Sequence, residues 1–343
     1  MNKNKYLTRI VFSLVVTLFS SISLPQSIQK LSVIGDFVLE SKDTIKNCIL
    51  GYRTFGKPNE DNSNLIIYPT WFGGTSEQIG TLLSKYRFVD TTKYFIIAID
   101  ALGNGISSSP SNYNDNDAVF DKLTIRDMVN SQYKFLTERL GYKKAFAVIG
   151  GSMGSMQALE WGTSYPDFME KIVAYLSSPK VSSYDLLWIN TQLNIFNTGR
   201  LNSISDREIK KNLDLMTAII SRTPSYYIEK YDDFKINDYL LSFDKEPPKD
   251  FSLGNYICQL KAIMRHNIAT PFNESIEDAA KAFKADLFII VSETDMMVNP
   301  SEAINFAELV KARLLILKNN CGHMAVTCEI DRCREEINDF LTE

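Results

Sequence analysis

Gly150, Gly151, Ser152, Met153 and Gly154 set a serine in a G-x-S-x-G pattern, directly after the apolar run 145–149 and ahead of a helical stretch, 155–164. A serine on a tight strand-to-helix turn is held out as a nucleophile, and glycines around it let neighbouring backbone approach closely. A hydroxyl attacks poorly until a base removes its proton, so a histidine and an orienting carboxylate must follow. The chain has two histidines. His323 lies in Cys321-Gly322-His323-Met324, after the last apolar run, where a loop can carry an imidazole over the edge of a sheet. His266 falls in a helical segment and reads as a packed or surface residue. Asp295 follows the run 287–292 and is the expected acid, with Glu293 as the alternative. The oxyanion of an acyl-transfer intermediate needs two preorganised N–H donors. Met153, next to the nucleophile, supplies one. The other is expected from the loop 69–74, where Pro69 cannot donate and Trp71 is the best placed.

These residues need a scaffold that delivers them to one edge. The runs 64–68, 94–100, 145–149, 171–176, 287–292 and 313–317 are short, apolar and bounded by turn residues, as strands buried on both faces of a parallel sheet are. Helical patterns alternate with them. One spans 124–140, opened by Thr124 as N-cap with Asp127 three residues on, and closed by Gly141. The alternation predicts an α/β fold with a doubly wound, mostly parallel sheet, preceded by antiparallel entry strands at 37–39 and 48–55. From 182 to 270 strand-like runs give way to aromatic and amide residues, among them Tyr226, Tyr227, Tyr231, Tyr239, Asn190, Gln192 and Asn194, with a break at Pro247-Pro248. This segment reads as a helical lid inserted between core segments 28–181 and 271–343.

With 37 basic and 41 acidic side chains the net charge is −4, so nucleic acid is not an expected partner. The N-terminus separates from the fold. Lys3, Lys5 and Arg9 precede an uncharged stretch, 10–24, that ends in small residues, the pattern of an export signal cut near Ser23 or Ser27. Its apolar part is short for a bilayer span, so residues 1–27 read as a signal peptide and not as a stable membrane anchor. Three of five cysteines, Cys321, Cys328 and Cys333, crowd around His323. Their spacings lack the paired C-x2-C unit of common zinc sites, so no metal is expected. A local disulfide among the three fits an exported chain. No glycines fall at the G-x-G-x-x-G spacing of dinucleotide sites, and no bound cofactor is expected.

The order Ser152, Asp295, His323 is that of α/β-hydrolases. The stretches ALGNGISSSP (101–110), LTIRDMVNSQ (123–132) and AVIGGSMGSMQALEW (147–161) resemble the homoserine O-acetyltransferase branch of that superfamily, over most of the chain from about Phe37 onward. The resemblance implies the α/β-hydrolase fold, Ser152 as nucleophile with Asp295 and His323 as its relay, a helical lid, and a homodimer formed through that lid. Two features depart from the branch pattern. Members carry an aspartate directly after the histidine, where this chain has Met324, and an arginine in the first lid helix, absent from 190–194. Both charged residues meet an amino-acid acceptor in the branch, and acetyl-CoA is not expected outside the cytoplasm. The sequence therefore predicts an exported hydrolase of small-molecule acyl esters working through an acyl-Ser152 intermediate. An O-acyltransferase and a binding protein without turnover are the alternatives.

Overall fold

The computed structural model describes residues 27–115, 117–246 and 252–343. The export-signal expectation rests on residues 1–26, and the Pro247-Pro248 break on 247–251, both outside the described residues. Eight strands form one sheet: β1 (Lys30–Val38), β2 (Thr44–Phe55), β3 (Leu65–Pro69), β4 (Phe95–Ile99), β5 (Ala145–Gly151), β6 (Met169–Tyr175), β7 (Asp286–Ser292) and β8 (Arg313–Leu317). Their spatial order is β1-β2-β4-β3-β5-β6-β7-β8, and β2 runs antiparallel to both its neighbours while all pairs from β4 to β8 are parallel. This is the α/β-hydrolase fold, with the mostly parallel sheet that the sequence predicts.

Each central strand feeds alternate residues to two cores. Ile67, Ile97, Val148, Ile172 and Ile289 face one, with Trp161; Ile66, Ile96, Ile149, Val173 and Ile290 face the other, with Phe340. The helices α1 (Ser76–Tyr86), α2 (Ile125–Lys134) and α3 (Met153–Ser164) connect the first half of the sheet. Between β6 and β7 the described residues form six α-helices: α4 (Ser183–Leu201), α5 (Asp206–Ser221), α6 (Pro224–Lys230), α7 (Asp233–Leu241), α8 (Leu253–Met264) and α9 (Ile276–Ala282), the first five within the lid segment. After β7 come α10 (Ser301–Val310), α11 (Ala325–Cys328) and α12 (Ile330–Thr342). From β3 the chain crosses to β4 on one side, and from β5 to β6 on the other. The C-terminal ends of β3 and β5 thus bound a topological switch point, where open α/β sheets form their ligand crevice.

Three local expectations need correction. The entry strands are longer than 37–39 and 48–55, because β1 and β2 pair from Lys30↔Tyr52 to Val38↔Thr44 with Leu31 and Val33 facing outward, which leaves no continuous apolar run to read. The helix over 124–140 keeps its Thr124–Asp127 capping box but becomes a π-turn over Phe135–Arg139, where Leu140 N–H reaches Phe135 O at 3.2 Å before Gly141 turns at φ +76°. β8 is an edge strand, half-buried over its first four residues.

Candidate active site

β5 runs into Ser152, whose backbone sits at φ +53°, ψ −126°, a region that side-chain-bearing residues rarely occupy. The surrounding structure holds it there. Ser152 N–H donates to Tyr175 O of β6 at 3.0 Å, and Ser152 O accepts from Ser155 N–H at 2.8 Å as α3 starts. The turn is tight enough to dictate glycine on both sides. A Cβ on Gly150 would lie 2.1 Å from Gly154 O, and one on Gly154 would lie 2.6 Å from Pro69 O. The second approach also presses the loop after β3 onto the start of α3.

His323 is carried by a 3-10 turn, Gly322–Met324, after β8. Its Nδ1 lies 2.7 Å from Asp295 Oδ2 and its Nε2 lies 2.9 Å from Ser152 Oγ. Asp295 sits in the loop after β7, nearly buried, and its other oxygen accepts from Met297 N–H at 2.8 Å and Val298 N–H at 2.9 Å. A carboxylate only accepts, so Nδ1 carries the proton and the Nε2 lone pair faces the serine hydroxyl. That tautomer can take the Ser152 proton. Glu293, the alternative acid, is exposed and makes no contact with His323; its N–H pairs with Leu317 O. His266 is buried after α8, where Nε2 lies 2.9 Å from Ser178 O. Burial pushes its pKa down to about 4, so the imidazole is neutral.

Both expected oxyanion donors lie at the switch point. Met153 is the first residue of α3, so its N–H has no intrahelical acceptor. The Trp71 N–H has no acceptor among the described residues, whereas Thr70 N–H donates to Ile99 O at 3.1 Å and Gly73 N–H to Gln259 Oε1 at 2.8 Å. The loop is thus tied on both sides of Trp71. Next to it the Phe72 ring meets Tyr256 edge-on at 4.8 Å between centroids. Tyr256 OH donates to Gln192 Oε1 at 2.7 Å, and Gln192 Nε2 to Thr217 Oγ1 at 3.1 Å. The hydrogen-bonded line from Tyr256 through Gln192 to Thr217 is made of uncharged side chains, and Met324, half-buried next to His323, carries no charge.

Sequence reasoning missed how the five-helix insertion grips the acid loop. Ser182 caps α4 with Asp185 in a capping box, a readable signal, and Asp185 Oδ1 then accepts Asn299 N–H at 3.1 Å while Trp188 Nε1–H donates to Met297 O at 3.0 Å. Cys321 and Cys328 form a disulfide that brackets His323, and Cys333 stays a buried thiol pushed up to about 12 by burial. No cluster among the described residues has the makings of a metal site. A cleft of about 510 Å³ lined by Leu31, Lys46, Asn47 and Tyr113 contains none of Ser152, Asp295 and His323.

Residues 64–327 match the family described as alpha/beta hydrolase fold. An ethyl acetate hydrolase from Pseudomonas veronii is 37% identical over 158 residues, 45% of this chain and 45% of that protein. The match thus spans about half the length of that curated relative. A homoserine O-acetyltransferase from Methanococcus vannielii is 27% identical over 355 residues, covering 90% of this chain and 71% of that protein. The solved acetylester hydrolase from Corynebacterium glutamicum superposes with a TM-score of 0.81 at 23% identity, covering 92% of this chain and 95% of that one.

Proposed function

The chain belongs to the α/β-hydrolase fold family, in a branch that resembles homoserine O-acetyltransferases, and from that premise we propose that it is an exported serine hydrolase of small, uncharged acyl esters. The observation that carries the reading is the hydrogen-bonded line Ser152 Oγ, His323 Nε2, His323 Nδ1, Asp295 Oδ2. Ser152 Oγ attacks the ester carbonyl carbon as its proton passes to His323 Nε2. The imidazolium is stabilised by Asp295, and the oxyanion by the Met153 and Trp71 N–H groups. The intermediate collapses as Nε2–H protonates the leaving alkoxide, giving the alcohol and acyl-Ser152. Water then attacks the acyl carbon with His323 as general base, and the acid departs with Ser152 restored.

Water is favoured as the acceptor by the absence of the two charged residues that the branch carries for an amino-acid acceptor. Met324 and the residues Asn190, Thr191, Gln192, Leu193 and Asn194 offer no charged partner to an amino-acid zwitterion. Each charge-assisted contact contributes about 1.5 to 3 kcal/mol, so two missing ones weaken such an acceptor by about 3 to 6 kcal/mol. Export is supported by the positive and apolar pattern of residues 3–24 and by the Cys321–Cys328 bridge, since such bonds persist in oxidising compartments. A lid-mediated homodimer is supported by Leu187, Leu201, Ile219, Ile228 and Phe234, all largely exposed on α4 to α7. A second reading, transfer to a hydroxyl acceptor, is favoured by the acetyltransferase relative that spans most of the chain.

One competition decides between them. Protein from residue 28 onward is given acetyl-CoA and millimolar homoserine beside a panel of short-chain esters. Ester hydrolysis abolished by Ser152→Ala and by His323→Ala, with little O-acetylhomoserine, is the expected result. Acetylhomoserine formed faster than any ester is cleaved replaces hydrolysis with transfer.

A further inference from the structure

Behind the oxyanion loop lies a line of buried amides that the acyl-transfer chemistry does not itself use. Trp161 Nε1–H donates to Gln132 Oε1 at 2.9 Å, Gln132 Nε2 to Gln157 Oε1 at 2.6 Å, and Gln157 Nε2 to Thr70 O at 3.0 Å and Met153 O at 3.2 Å. All five residues are at most 1% exposed. The direction of the line follows from chemistry. An indole N–H can only donate, so it fixes Gln132 Oε1 as acceptor and Gln132 Nε2 as donor. Gln157 Oε1 must then accept, and Gln157 Nε2 is left to donate to two carbonyls that can only accept. No amide in the line can flip without leaving buried groups unpaired.

The two carbonyls at its end belong to the two segments that supply the oxyanion donors. Thr70 O and the Trp71 N–H share one peptide unit, and the described residues contain no cis peptide. In a trans unit the two bonds point oppositely, so a bond that fixes Thr70 O also fixes the direction of the Trp71 N–H. Met153 O lies in the first turn of α3, whose opening N–H is the other donor. One NH2 group therefore ties the loop after β3 to the start of α3, at the point where Gly154 already brings them into contact. We infer that Gln157, polarised through Gln132 by Trp161, is the positioning residue of the oxyanion hole and sets the direction of the Trp71 N–H relative to that of Met153.

The inference rests on the acyl-Ser152 reading, and its test separates the two. Full-length mature protein and the variants Gln157→Leu, Gln157→Glu and Trp161→Phe are compared on a short-chain p-nitrophenyl ester. Each is also titrated with a trifluoromethyl ketone, which forms a tetrahedral adduct on serine, and melted. Removing an oxyanion donor outright costs about 100- to 1,000-fold in kcat, and misdirecting one costs part of that. Gln157→Leu is expected to lose about 10- to 100-fold in kcat with KM within about threefold, and to lose ketone affinity by the same factor as kcat/KM. Gln157→Glu, which replaces the donor with a second acceptor facing the two carbonyls, loses at least as much. Trp161→Phe loses less, in the same direction, and carries the comparison if the Gln157 variants do not fold. A purely structural glutamine lowers the melting temperature and the active fraction but leaves ketone affinity and kcat per active site unchanged, and that result overturns the inference. Ester turnover that survives Ser152→Ala overturns the reading beneath it.

Discussion

The disulfide beside His323 can be perturbed without touching Ser152, His323 or Asp295. Cys321 and Cys328 are separated by seven positions and enclose His323. Closing so short a loop removes denatured-state entropy equivalent to about 2.5 kcal/mol at 25 °C. Cys328 is exposed, so a dithiol reductant has access to the bond. The His323 turn has other holds: Thr223 Oγ1–H donates to Asn320 O at 2.5 Å, Cys321 N–H to Asn319 Oδ1 at 3.0 Å, and Met324 N–H to Cys321 O at 3.1 Å. The bridge therefore contributes stability more than placement. Reduction, or Cys321→Ser with Cys328→Ser, should lower the melting temperature by about 4 °C in a chain of this size. Ester turnover at 25 °C should stay within about threefold, less than 1 kcal/mol in the barrier. The assay is a reducing and non-reducing melt beside initial rates from the same samples. An unchanged melting temperature refutes the entropy argument. Collapse of kcat at 25 °C, with the fold intact, refutes the claim that the bridge contributes stability more than placement.

Burial holds the His266 pKa near 4, against about 6.5 in the unfolded chain, so the unfolded state binds the extra proton first on acidification. Its contribution, on the order of 3 kcal/mol, is complete above pH 6.5 and is lost as pH falls toward 4; denaturant midpoints of wild type and His266→Gln should converge over that window. Asp295→Asn should retain more turnover than Ser152→Ala or His323→Ala, since it keeps the nucleophile–base pair and disturbs the tautomer, and initial rates on one ester order the three. Protein recovered from its native host should begin after residue 23 to 27, read by N-terminal sequencing; an intact Met1 on cytoplasmic material removes the export reading and with it the acetyl-CoA objection.

The parts legible in the sequence are those whose constraints are local. The elbow is readable because Gly150 and Gly154 are excluded from bearing a side chain by backbone within van der Waals reach, and the central strands because burial on both faces removes polar residues from them. Asp295 is readable because a loop after a strand places it at the sheet edge. The long-range polar contacts are not. Gln132, Gln157 and Trp161 look like ordinary helix residues, and only the packing of α2 on α3 shows that their side chains meet. The same holds for Gln192, which the sequence offers as one amide among several and the fold closes into a neutral contact with Thr217 and Tyr256. β1 escaped full recognition for the opposite reason: an edge strand with outward Leu31 and Val33 mixes apolar and polar residues on both faces.

Relatives named for hydrolysis and for acetyl transfer both match this chain, and in the mechanism proposed above acyl-Ser152 formation would serve either outcome. The second half-reaction separates them, and its demands are unequal. In the proposed hydrolysis, water reaches the acyl carbon through the His323 lone pair and needs no recognition site. An amino-acid acceptor must compete with water, which takes charge partners at fixed places. In this chain the Gln192 oxygen is engaged by Tyr256 OH and its NH2 by Thr217 Oγ1. Turning that amide toward an acceptor would break two part-buried hydrogen bonds, each worth about 1 kcal/mol net. Gln192 is thereby held by two side chains of the fold itself, and Met324 next to His323 carries no charge. On the hydrolase reading proposed above, a site with no charged acceptor partner at 324 or 190–194 would rank esters by shape and apolar contact more than by charge.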